Sequence, residues 1–194
     1  AGTRSDGLPL KNLCEAYRIT GDPRILESLD TLVSVAWRQV DKIRGNYGVM
    51  PVWEKGKEPV EKPFMMSQVM DGLREFYDLT HDEGAADLIL GMTDFILREA
   101  YCGAAGFTYV VKLEDGEAQR RFREEEMAKY ARQKGSFRLY LNPEHLAFAY
   151  RVTGEERYRD ALMQLVPGAS LGGEKSKGQI SRALAETEGR DVET

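Results

Sequence analysis

The residues of this chain that could do chemistry stand beside its regular patterns rather than within them. Three carboxylates, Asp6, Glu54 and Glu144, precede or interrupt apolar stripes, and His145 follows Glu144 directly. Carboxylates and histidines are the groups most often used for proton transfer near neutral pH. Arg4, close to the amino end, adds a permanent positive charge. Tyr47, Trp53, Phe64 and Tyr109 lie in or next to Gly- and Pro-rich stretches, and Gln68 follows Phe64 by one helical turn. Flat rings beside an amide suit stacking combined with hydrogen bonding. No phosphate-binding loop, zinc-protease, paired-cysteine or nucleophile-elbow motif occurs in the sequence. Neither a metal nor a cofactor is therefore expected.

Several of these residues also have a plain structural role open to them. Glu144 at a helix start is favoured by the helix dipole alone, and His145 in a first turn can serve as a helix-end hydrogen bonder. Trp53 can cover the ends of neighbouring helices. Trp37 falls in an apolar stripe and reads as core, while His81 occupies a turn. Met65, Met66, Met70 and Met92 fall mostly on helical stripes and fill space.

What must position these groups follows from composition and periodicity. A chain of 194 residues with 42% apolar and 30% charged residues can bury a substantial core. Its net charge of −5 gives no basic face for nucleic acid, and no apolar run is long enough to cross a bilayer. Cys14 and Cys102 are the only cysteines, too few for a disulfide framework or a zinc site, and Cys14 sits on an apolar stripe. The start Ala1-Gly2-Thr3 lacks both an initiator methionine and a secretory n-region, so a processed start or a piece of a longer protein is expected.

One pattern recurs three times: Leu13 to Asp22, Leu73 to Asp82 and Leu146 to Glu155. Each copy carries a Tyr, then an aliphatic residue, a Thr, a break and an acid, with the tyrosines at 17, 77 and 150. Apolar residues run at helical spacing on both sides of each break, which predicts tight αα-hairpins over about 8–42, 64–102 and 142–166. Thr3 to Gly7 reads as an irregular lead-in, with Pro9 in the first turn of a helix. Phe107 to Leu113 reads as a strand without an obvious partner, and 117–134 as a solvated helix or ordered loop. After the single hairpin domain of 1–167, the tail 168–194 has room for one short helix over 176–187. The tight turns are expected at one end of the array and the long connections, 43–63 and 102–142, at the other. Loops on a rigid scaffold are where function usually resides.

The motif Ala16-Tyr17-Arg18-Ile19-Thr20-Gly21-Asp22-Pro23, echoed by Ala149-Tyr150-Arg151-Val152-Thr153-Gly154-Glu155-Glu156, resembles the hairpin turns of the six-hairpin glycosidase-like superfamily. The resemblance covers roughly residues 7–166 and implies an all-α fold, a partial (α/α) toroid of about three hairpins with a small β element near 107–113. It implies a glycan partner, bound or cleaved in the manner of glycoside hydrolases or polysaccharide lyases. Completion of the ring would come from the remainder of a parent chain or from a second copy. On that reading Asp6, Glu54, Glu144 and His145 are the catalytic candidates. Arg4, Tyr47, Trp53, Phe64, Gln68 and Tyr109 are the substrate-binding candidates. The alternative is a non-catalytic helical-repeat domain that binds a protein along its edge.

Overall fold

A computed structural model describes residues 4–40, 60–113, 116–132, 139–169 and 173–193. The helices are α1 (Arg4–Thr20), α2 (Pro23–Gln39), α3 (Pro63–Thr80), α4 (Glu83–Glu99), α5 (Gly116–Arg132), α6 (Glu144–Thr153), α7 (Glu156–Ala169) and α8 (Gly173–Glu193). Two short strands, β1 (Val60–Glu61) and β2 (Val111–Lys112), pair antiparallel, with Val60 opposite Lys112. No helix among the described residues is long and apolar enough to cross a membrane.

The repeated motif builds the same turn three times. Its Thr ends a helix by donating its hydroxyl to the carbonyl four residues back, at 2.7–2.8 Å in all three copies. The same oxygen then accepts the backbone N–H two residues ahead, from Asp22, Asp82 and Glu155. Gly21, His81 and Gly154 take left-handed conformations and donate their N–H to the carbonyls of Tyr17, Tyr77 and Tyr150. This satisfies carbonyls that a helix end otherwise leaves unpaired. Asp22 and Asp82 cap the returning helices by accepting from the N–H of Arg24 and Ala85.

Helices α1, α3, α6 and α8 run side by side in one direction. Gly7 and Leu10 of α1 meet Gln68 and Gly72 of α3. Ser67 of α3 meets His145 of α6, and one end further on Asp78 meets Arg151. Glu144 and Arg151 of α6 meet Arg182 and Glu186 of α8. The returning helices α4 and α7 form a second layer, joined where the buried Tyr158 donates its hydroxyl to Asp94 at 2.7 Å. The core between the layers includes Met66, Met70, Leu73, Phe76, Ile89, Phe95, Phe148 and Leu162.

Four features depart from what the sequence implies. Helix α1 begins at Arg4, so 4–7 is helical and Pro9 lies inside the helix. Proline's missing N–H removes a bond only to Ser5, near the helix end, where the loss is small. The strand near 107–113 shrinks to β2, and its partner is Val60–Glu61 from the distant first connection. The helix expected over 176–187 is longer: α8 spans Gly173–Glu193, packs on α6 and α7, and buries Ile180 and Ala183. Finally, Trp37 near the end of α2 lies against Gly84 in the first turn of α4. The carboxyl end of α2 thus abuts the second hairpin's tight turn, whereas α4 and α7 both end at the opposite, open side, where Tyr101 meets Gln164.

The charged segment 117–134 holds α5. It stays in place through the buried Gln119, which accepts from the N–H of Lys112 and donates to the carbonyl of Glu99.

Helices α1 and α3 approach closely because two glycines face each other. A Cβ on Gly7 would overlap the Gln68 carbonyl, and one on Gly72 would lie 2.7 Å from the Gly7 carbonyl oxygen. Elsewhere in a helix Gly→Ala stabilises by about 1 kcal/mol. Here backbone must move, so Gly7→Ala is expected to destabilise by about 1–3 kcal/mol in urea unfolding. Gly21→Ala separates the other effect. Among the described residues no atom beyond its chain neighbours lies within 4 Å of that Cβ position, yet φ is +64°, so strain alone predicts a loss of about 1 kcal/mol.

Candidate functional site

The side chains that converge most closely belong to α3, α6, α1 and α8. At the start of α6, Asn142 and Pro143 lead into Glu144. Asn142 Oδ1 accepts the Glu144 N–H at 3.3 Å, and the Asn142 carbonyl accepts that of His145. The same asparagine binds across to α3: its N–H donates to Ser67 Oγ at 2.9 Å and its amide to Asp71 Oδ1 at 3.1 Å. His145 completes the junction, with Nε2 3.1 Å from the Ser67 carbonyl oxygen, 3.2 Å from Ser67 Oγ and 3.2 Å from Asp71 Oδ1. Ser67 and Asp71 can meet one partner because residues four apart share a helix face.

In front of this junction opens a cleft of about 240 Å³, lined by Lys11, Asp71, Arg74, Glu75, Asp78, Asn142, Glu144 and Arg182. Most of its charges neutralise one another. Glu144 lies 2.7 Å from Arg182 and 3.7 Å from Arg74. Arg74 also reaches Glu186 at 3.1 Å, Glu186 reaches Arg151 at 3.5 Å, and Arg151 reaches Asp78 at 3.9 Å. Glu75 pairs with Arg18 at 2.6 Å. Among the described residues Asp71 is the cleft carboxylate that carries no guanidinium. Its side chain is 39% exposed, whereas that of His145 is 0% exposed. Burial pushes the Asp71 carboxyl up, but hydrogen bonds from His145 and Asn142, with the charge of Lys11, hold it below the usual carboxylate range.

Two turns earlier on α3 stands an aromatic group. Phe64 stacks on Tyr109 with centroids 5.4 Å apart and planes 11° apart, and Tyr140 meets Tyr109 edge-on at 5.3 Å. Phe64 and Asp71 are seven residues apart, so they share a helix face at a rise of about 10 Å.

The residues singled out from the sequence scatter over this picture. Glu144 lines the cleft but is held by two arginines. His145 lies behind Asp71 and is fully buried. Phe64 and Tyr109 do come together, from the start of α3 and the segment before β2. The Oε1 of Gln68 is buried without a partner among the described residues. Arg4 and Asp6 fall in the first turn of α1, and their side chains lie outside what is described. Tyr47, Trp53 and Glu54 lie outside the described residues altogether. Sequence reasoning missed Asp71, Asn142, Lys11, Arg74 and Arg182. Asn142 before Pro143 has the signature of an ordinary helix cap, and Asp71 that of any polar residue in a helix.

The described elements form an all-α array of helical hairpins of the (α/α)-toroid type, decorated by a two-stranded sheet. No family model matches the chain, and no curated protein matches it. Among solved structures it is similar to an inactive variant of alpha-1,6-mannanase, GH76A of Salegentibacter sp. HEL1_6, in complex with alpha-1,6-mannotriose. The TM-score is 0.56 at 12% identity, over 88% of this chain and 46% of that one. This chain thus spans under half the length of that structure, and the likeness is one of fold.

The lowered Asp71 pKa has a consequence for stability. The group binds fewer protons folded than unfolded, so its contribution is present above the unfolded value of about 4. It is lost as pH falls through the lower folded value. Urea unfolding of wild type and Asp71→Asn should therefore differ most at neutral pH, with the gap closing as pH is taken below about 4.

Proposed function

We propose that the cleft between α1, α3, α6 and α8 binds a neutral oligosaccharide. The observation that carries this reading is Asp71: a half-buried, ionised carboxylate, backed by His145, flanked by Asn142 and Lys11, in a cleft whose other carboxylates are paired with arginine. Such a group can accept two sugar hydroxyls while the asparagine amide and lysine ammonium donate. The aromatic surface at Phe64, Tyr109 and Tyr140 would take a further sugar unit by stacking. The shared fold with a structure described as a mannanase holding mannotriose supports the same ligand class.

Binding is favoured over cleavage for these residues. Hydrolysis with either stereochemistry needs two carboxyl groups flanking the bond, one of them able to donate a proton. Glu144, Asp78 and Glu75 are each engaged by arginine. Asp71 could serve as a general base, and its acid partner would come from residues beyond the described cleft, Glu54 among the candidates.

Calorimetric titration with alpha-1,6-mannotriose and an array of neutral oligosaccharides tests this. Wild type should bind at least one with a Kd between about 10 μM and 1 mM. Asp71→Ala and Asn142→Ala should each weaken it about tenfold, equivalent to about 1.4 kcal/mol. Binding that neither substitution alters would move the site elsewhere, and no binding to any glycan would reject the reading.

A further inference from the structure

We propose that His145 is a positioning residue that aims the Asp71 carboxylate into the cleft, rather than a group that touches ligand itself. The functional consequence rests on the glycan reading above; the positioning does not.

The hydrogen on Nε2 is fixed by its neighbours. The Ser67 carbonyl and the Asp71 carboxylate can only accept, so Nε2 carries a hydrogen and donates to them at 3.1 and 3.2 Å. Nδ1 is buried with no partner among the described residues. Among the described residues the ring therefore has no second partner through which to pass a proton, and it is 0% exposed. What it can do is hold. It spans one turn of α3, from Ser67 to Asp71, and clamps the carboxylate from the side away from the cleft.

Asp71 would otherwise have other choices. Around it the cleft presents Lys11 from α1, Arg74, Glu75 and Asp78 from α3, Glu144 from α6 and Arg182 from α8. A carboxylate free to turn would be drawn toward Arg74 or Lys11, as Glu144 is drawn toward Arg74 and Arg182. The His145 N–H and the Asn142 amide both end on the same Asp71 oxygen, Oδ1. That leaves Oδ2 without a hydrogen bond among the described residues, so a ligand can use it.

The test uses the full chain and two substitutions. His145→Gln places an amide N–H near the position of Nε2, and His145→Phe keeps the ring volume without a donor. The Asp71 carboxyl is followed by carbon-13 NMR across an acid titration, and alpha-1,6-mannotriose is titrated in parallel. With His145→Phe the Asp71 midpoint should rise toward the ordinary carboxylate value and mannotriose binding should fall about tenfold. With His145→Gln both should stay close to wild type, the binding within about twofold. An unmoved Asp71 midpoint in a folded His145→Phe variant overturns the proposal, as does a folded His145→Gln variant that behaves like the phenylalanine one. If His145→Phe does not fold, His145→Asn replaces it, since its shorter amide cannot reach the partners of Nε2 and the same midpoint shift is expected. Failure of wild type to bind mannotriose would count against the glycan reading alone, because the titration still decides whether His145 positions Asp71.

Discussion

The hydrogen-bonded junction between α3 and the start of α6 is the constraint on which the rest of the cleft depends. Ser67 and Asp71 on one side, Asn142 and His145 on the other, exchange bonds of 2.9–3.2 Å in a half-buried setting. Breaking any one of these bonds would leave a polar group unpaired in low dielectric, which is expensive. It fixes two helices that no short loop connects: Asp71 and Asn142 are 71 positions apart in the chain. Helix α3 is at the same time pressed against α1 through Gly7 and Gly72. The width of the cleft is therefore set by two contacts of opposite kind, one steric and one polar.

Charge on the concave side follows from this geometry. Arg182, Glu144, Arg74, Glu186, Arg151 and Asp78 alternate in sign along a chain of ion pairs that binds α8 and α6 to α3. Arg74 and Arg151 also lie 5.6 and 5.5 Å from the ring centre of Phe148, so their planes cover the core edge as well as pairing with acid. A carboxylate absorbed into this chain is scaffold. Asp71 stays outside it because its partners are a neutral amide and an imidazole N–H, and this distinguishes it from the acids around it.

The hairpins were legible because their signal is local. The Thr hydroxyl, the left-handed residue and the capping acid all lie within about one turn of each other, so Tyr17 to Asp22 specifies its own geometry and Tyr77 to Asp82 repeats it. His81 in the position of Gly21 fits, since histidine is among the residues that tolerate a positive φ. The pairing of Val60–Glu61 with Val111–Lys112 was not legible. A two-residue strand has no periodicity to detect, and its partner lies some 50 residues away. The start of α1 at Arg4 and the extent of α8 were missed for a related reason: polar, glycine-containing segments such as these form helix only when a neighbouring surface takes their few apolar residues.

The candidate site divides in the same way. Residue type and spacing identified Glu144, His145, Phe64 and Tyr109 as unusual, and the latter two do stack. Yet their surroundings differ from what type alone suggests. Glu144 is neutralised by arginines from α3 and α8, and His145 is turned inward behind an aspartate that no motif marks. By itself the sequence determined the hairpins, their turns and the helical class, because those are set by hydrogen bonds and apolar spacing within a few residues. Only the tertiary structure decided which acid stands free in the cleft. That depends on which cations reach it from helices far apart in the chain, and on which face of α3 the amino end of α6 comes to rest.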